Sequence, residues 1–145
     1  MEDIKIIEGE IFKDNRGQIS SLNSFHFDGV KRVYIIHHPD DSVVRGWHAH
    51  QNERKWFYCL KGKFSVALTK IDNWDNPSPN LQAQVFELNE EKSLLICVPA
   101  GYGNCLKAHT PGAIMLVFSD KTLDEAANDS WRYDSKLWVN WDNIE

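Results

Sequence analysis

The sequence predicts an all-β protein of the sandwich or barrel type, and three observations carry that prediction. Ten segments read as strands, many of them alternating apolar with polar residues. Turn-forming clusters separate these segments at the spacing expected of sandwiches and barrels. One short stretch alone carries a helix signature. In chain order, segments 4–12 and 18–24 flank Asp14-Asn15-Arg16-Gly17, a turn sequence ending in the residue that tolerates positive φ. Segment 31–38 is rich in β-branched and aromatic residues and stops at Pro39-Asp40-Asp41. Segments 47–51 and 55–60 precede the turn Lys61-Gly62, and 63–69 leads to the open loop Asn76-Pro77-Ser78-Pro79-Asn80. Segments 82–88, 93–99, 104–109 and 113–119 complete the set, the last two separated by Thr110-Pro111-Gly112. Thr122-Leu123-Asp124-Glu125 is a capping-box pattern that opens a short helix through Ala126 and Ala127. The tail carries Trp131, Trp138 and Trp141 and is expected to pack on a sheet or on a neighbouring chain.

Length and composition bound the function. A chain of 145 residues supports one domain, 1–145, with a single core. Its apolar runs are far below membrane-spanning length, and Met1-Glu2-Asp3-Ile4-Lys5 lacks the features of a secretory signal, so a cytoplasmic protein is expected. Cys59, Cys97 and Cys105 are an odd, unpatterned set that reads as buried thiols rather than as a disulfide framework or zinc site. The net charge is −5 with no basic run, which argues against a nucleic-acid partner. An anionic ligand must be held by a few placed arginines.

The segment richest in chemistry is Arg45-Gly46-Trp47-His48-Ala49-His50. On a strand, alternate side chains share a face, so His48 and His50 point one way while Trp47 and Ala49 point the other. Paired imidazoles serve either as metal ligands or as proton-transfer groups at neutral pH, and a third reading gives them no chemistry. His26, His37, His38 and His109 carry no motif and read as loop or strand-end histidines.

Several segments resemble the cupin superfamily, within it the sugar-nucleotide branch of RmlC-like dTDP-4-keto-6-deoxyhexose 3,4-ketoisomerases and dTDP-4-dehydrorhamnose 3,5-epimerases. The resemblance spans nearly the whole chain. It is carried by Phe12-Lys13-Asp14-Asn15-Arg16-Gly17, Val30-Lys31-Arg32-Val33-Tyr34-Ile35-Ile36, the Arg45 to His50 segment, Leu60-Lys61-Gly62 and Val98-Pro99-Ala100-Gly101-Tyr102-Gly103-Asn104. The fold it implies is a cupin-type jelly-roll β-barrel of two antiparallel sheets, with a short C-terminal helical segment. Metal-binding cupins place a glutamate five residues after the second histidine and a third histidine shortly after Pro-x-Gly. Those positions are Lys55 and Asn104 here, and a cation in place of a carboxylate repels a divalent ion. Glu53 is the remaining acid from which a rearranged site could be built. The expectation is a metal-free protein with no cofactor.

The resemblance also implies roles. His48 corresponds to the base that removes the proton at C3 of the sugar. His50 is placed to shuttle protons between the oxygens at C3 and C4, and Tyr34 to donate to the sugar. Arg16 and Arg45 correspond to contacts with the diphosphate or keto sugar, which a planar guanidinium suits. Arg32, Lys55 and Asn104 are further expected substrate contacts, as is Tyr102 from the Pro-Ala-Gly-Tyr loop. The tyrosine acid of the 3,5-epimerases is missing where this chain reads Ser119-Asp120-Lys121-Thr122-Leu123-Asp124, with Tyr102 or Lys121 as its possible substitutes.

The leading expectation is a 3,4-ketoisomerase of a nucleotide-diphosphate 4-keto-6-deoxyhexose, serving surface-polysaccharide or glycan synthesis through cofactor-free enolisation. A 3-epimerase using the same base is the alternative within the enzyme class, and a cupin that binds the sugar nucleotide without turning it over is the alternative outside it. A homodimer is also implied. It would cover the outward-facing Trp47, Trp56 and Tyr58, a job the tryptophan-rich tail could do instead.

Overall fold

A computed structural model describes residues 3–144, so Met1 and Glu2 of the N-terminal reading lie outside the described residues. Twelve strands form among them: β1 (Lys5–Glu8), β2 (Glu10–Asp14), β3 (Gly17–Ser21), β4 (Arg32–His37), β5 (Val44–Ala49), β6 (Lys55–Lys61), β7 (Lys63–Lys70), β8 (Gln84–Asn89), β9 (Leu94–Val98), β10 (Tyr102–Ala108), β11 (Ile114–Ser119) and β12 (Trp131–Arg132). Helix α1 (Leu123–Ala127) follows β11 and starts where its capping box predicts. The Thr122 hydroxyl accepts from the Glu125 N–H, and the Glu125 carboxylate accepts from the Thr122 N–H.

The first predicted strand divides at Gly9, whose N–H donates to the Ser93 carbonyl at 2.7 Å. A Cβ there would lie 2.0 Å from the Ser21 carbonyl oxygen, so only glycine lets the chain pass from β1 into β2.

The strands form two five-stranded antiparallel sheets, ordered β1-β9-β6-β11-β4 and β12-β5-β10-β7-β8, with β2 and β3 as a separate two-stranded sheet. The expected closed barrel is not formed. Each sheet ends in edge strands that pair with nothing in the other sheet, and β4 and β5, which follow one another across the gap, flank a cavity instead of bonding to each other. The architecture is therefore an open sandwich. Alternation predicts which face of a strand is buried; closure depends on which edges pair, and the side-chain pattern does not encode that.

Between the sheets, Phe57, Phe64, Val66, Leu68, Ile96, Leu106, Met115 and Val117 form the main core. The outer face of the second sheet is also covered. Trp47 is buried with Ala67 and Cys105 beneath Tyr133, Leu137, Trp138 and Trp141 of the tail. Its indole N–H donates to the Leu137 carbonyl at 2.7 Å, and its ring meets Trp138 edge-on at 5.1 Å. The tail thus covers Trp47. Trp56 packs against Phe25, and the Tyr58 hydroxyl bonds that of Ser93 at 2.8 Å.

Cys59 and Cys105 are buried free thiols whose burial pushes each up to about 12, and Cys97 is half-buried. No helix among the described residues is long and apolar enough to cross a membrane.

Candidate active site

The inward-facing residues change character along each strand. On β6 they run Lys55, Phe57, Cys59; on β10 they run Asn104, Leu106, Ala108; on β4 they run Arg32, Tyr34, Ile36. The apolar ends make the core. The polar ends line a cavity of about 650 Å³ between the sheets, which β5 completes with Arg45, His48 and His50. Seven of the nine side chains singled out in the sequence therefore converge: Arg32, Tyr34, Arg45, His48, His50, Lys55 and Asn104.

Two do not. Arg16 stands at the tip of the β2–β3 hairpin, 81% exposed and paired with Asp14 at 2.6 Å, outside this cavity. Tyr102 packs its ring against the main core and contributes its carbonyl, which accepts from the His50 N–H at 3.3 Å. Neither Tyr102 nor Lys121 lines the cavity.

The two imidazoles lie on one wall with ring centroids 4.6 Å apart. Gly46 lets β5 lie close against β10. At φ 133° it sits where a Cβ would fall 2.6 Å from the Asn104 carbonyl, beside the bulge that breaks the β5–β10 register. Nε2 of His48 lies 2.8 Å from the Ser130 hydroxyl, and Nδ1 of His50 lies 2.7 Å from the Asp129 carbonyl. The Asp129 carboxylate accepts from the backbone N–H groups of Gln51, Asn52 and Glu53, fixing the turn that leaves β5. The tail supplies all these contacts, and β12 sets Arg132 opposite His48 in register.

Lys55 and Tyr34 occupy the facing wall. The Arg32 guanidinium is 4.9 Å and the Lys55 ammonium 5.7 Å from the Tyr34 ring centroid. Lys55 is buried.

Burial and the neighbouring charges of His50, Lys55 and Arg132 push His48 down to about 3. His50 is lowered too, by burial and Lys55, against opposing contributions from Glu53 and Asp129. His48 is therefore a neutral imidazole at pH 7, able to accept a proton. Arg32, Arg45, Lys55 and Arg132 give the cavity four cationic side chains against the single carboxylate of Glu53, a surplus suited to a polyanion. No group of three His, Cys, Asp or Glu side chains converges as a metal-ligand set among the described residues.

Ser130, Asp129 and Arg132 escaped the sequence reading. They lie about eighty residues from the histidines, and a carbonyl contact leaves no residue-type signal. The unabsorbed clue was a polar Asn128-Asp129-Ser130 run directly after the helix. Of the motif-free histidines, His37 ends β4 and His38 follows it, as expected of strand-end residues; His37 also lines the cavity, and His38 is fully buried against Phe64.

The chain has strong structural homology to the RmlC-like cupins of the sugar-nucleotide ketoisomerase and epimerase type. The model of the family described as FdtA: WxcM-like, C-terminal, matches residues 2–137, and the chain belongs to that family.

Among solved structures, a variant of the QdtA 3,4-ketoisomerase from Thermoanaerobacterium thermosaccharolyticum in complex with TDP is 26% identical, with a TM-score of 0.72 over 92% of this chain and 89% of that one. The 3'-monoepimerase ChmJ from Streptomyces bikiniensis, in complex with dTDP-quinovose, is 18% identical, with a TM-score of 0.78 over 98% and 77%. A dTDP-4-dehydrorhamnose 3,5-epimerase from Elizabethkingia anophelis is 19% identical, with a TM-score of 0.75 over 99% and 83%. A search of curated proteins returned no match.

Proposed function

We propose that this protein is an isomerase of a nucleoside-diphosphate 4-keto-6-deoxyhexose, dTDP-linked as in its relatives, and that it works by enolisation at C3. The observation that carries this reading is the pair of imidazoles 4.6 Å apart in a cavity walled by four cations. A hydrogen next to a ketone is weakly acidic, so its removal needs a neutral base and a donor or cation at the developing enolate oxygen. His48 is the base, and Lys55, Asn104 and Tyr34 are the donors within the cavity. Arg45 and Arg32 bind the anionic part of the substrate. Proton removal and return balance without an electron acceptor. Arg16 stands outside the cavity and would reach a diphosphate only from a second copy of the chain. Val33 and Ile35, half exposed on edge strand β4, favour such a homodimer.

The common intermediate has two products. Return of the proton to C4, with His50 moving a proton from O3 to O4, carries the ketone to C3; the adjacency of the histidines favours this outcome. Return to the other face of C3 gives the 3-epimer. The placement of Tyr34 and Lys55 on the wall opposite the histidines favours that one, because inversion needs an acid across the ring from the base.

Incubation with dTDP-4-keto-6-deoxyglucose in deuterated solvent, followed by NMR, separates the readings. A ketone at C3 identifies the ketoisomerase, and deuterium at C3 with inverted configuration identifies the epimerase. Tight binding without exchange would leave a binding protein and overturn both.

A further inference from the structure

Glu53 belongs to none of the elements expected to do chemistry; it sits in the turn between β5 and β6. Its carboxylate is fully buried in a cavity wall otherwise rich in cations. Oε2 accepts from Arg32 at 3.0 Å and from the Ser119 hydroxyl. Oε1 has no hydrogen-bond partner of good geometry and lies 3.2 Å from Nδ1 of His50.

The same Nδ1 faces the Asp129 carbonyl at 2.7 Å. A carbonyl only accepts, so Nδ1 carries the hydrogen and Nε2 keeps its lone pair. That Nε2 is buried without a partner, in a ring that lines the cavity. His48, one ring away, has a hydroxyl as its partner and Lys55 and Arg132 as its charged neighbours, with no carboxylate. The charged and titratable groups facing His50 are His48, Lys55, Glu53 and Asp129.

We infer that Glu53 is a positioning residue whose buried carboxylate, beside the Asp129 carbonyl that holds His50 as the Nδ1–H tautomer, makes His50 the imidazole that takes the hydroxyl proton of the substrate. The inference deepens the proposed function and rests on it for its chemical step. As His48 takes the proton from C3, the O3–H bond breaks and an Nε2–H bond forms on His50, leaving an imidazolium whose charge Glu53 offsets. That proton then passes to O4 while the carbon-bound proton returns to C4. No electrons leave the substrate. The opposing effects of Glu53 and Asp129 on His50, absent at His48, support the same asymmetry.

The test is imidazole NMR on the substrate-free full chain, wild type and E53Q. His50 of the wild type should show the Nδ1–H tautomer and take up its proton at higher pH than His48. In E53Q its titration should fall by about one pH unit, the effect of losing one nearby opposite charge. The acid limb of the kcat profile should move down with it, and kcat at neutral pH should drop about tenfold; E53D should restore part of both. An Nε2–H tautomer, or a His50 titration indifferent to E53Q, would overturn the inference. If E53Q does not fold, the wild-type order still decides, since His48 protonating first would overturn it. The NMR measurement needs no turnover, so an inactive wild-type protein would remove the proposed function and leave the role of Glu53 to be decided separately.

Discussion

Follow β6 or β10 inward from the cavity and the protein passes from Lys55 or Asn104 to Phe57 or Leu106 within two residues. At the core end, every inward position is apolar and contributes to folding. At the cavity end, the same backbone holds a buried lysine, two lowered histidines and a buried glutamate, groups whose desolvation opposes folding. Stability and chemistry are thus segregated along single strands. A rigid apolar half holds a polar half that would not order itself.

Substitutions can break or sharpen that contrast. The largest expected effect is on chemistry: H48N should lower turnover by about 10²–10⁴-fold, the usual contribution of a general base, with the thermal midpoint little changed. Undiminished turnover would remove His48 from the base role. At the other end, F57A should cost about 3–5 kcal/mol in urea denaturation, because it opens a cavity in the main core.

Acid should act on the cavity end. His48 has its folded pKa well below the unfolded value near 6.5, so the unfolded chain binds the extra proton. Its contribution is fully retained above pH 6.5 and is lost as pH falls toward about 3. The fall in thermal midpoint across that window should be shallower in H48N; an identical profile would show that His48 is not the group responsible. A smaller gain should come from K55M, raising stability by about 1 kcal/mol as a buried cation is replaced by an apolar chain while dTDP binding by calorimetry weakens. The smallest effect belongs to R16A: its ion pair with Asp14 is solvent-exposed, so the urea midpoint, measured by the same denaturation, should stay unchanged.

Alternation made most of the fold legible, because a half-buried strand must alternate to keep one face dry. The same logic placed His48 and His50 together and set Lys55 opposite Trp56. It did not reveal the split at Gly9, which depends on the closeness of Ser21 and Ser93, nor β12, whose two residues are too few to show a period. Edge pairing lay beyond it as well, hence the open sandwich. In the site, residue types with a charge or ring were readable from the motif, whereas the Asp129 carbonyl could not be read because every residue has one. Glu53 was visible as an acid near the histidines; its pairing with Arg32 and Ser119 depends on a turn that no periodicity describes.

The hydrogen bonds that join Ser130 and Asp129 with the histidines span 82 and 79 residues of chain. Closing loops of that length is entropically slow compared with hairpin formation. Until β12 docks on β5, both imidazoles lack the partners that orient them, and Trp47 lacks its cover. Catalytic competence therefore depends on the docking of the tail: a β-sandwich without it would keep its core strands but have no oriented pair of imidazoles.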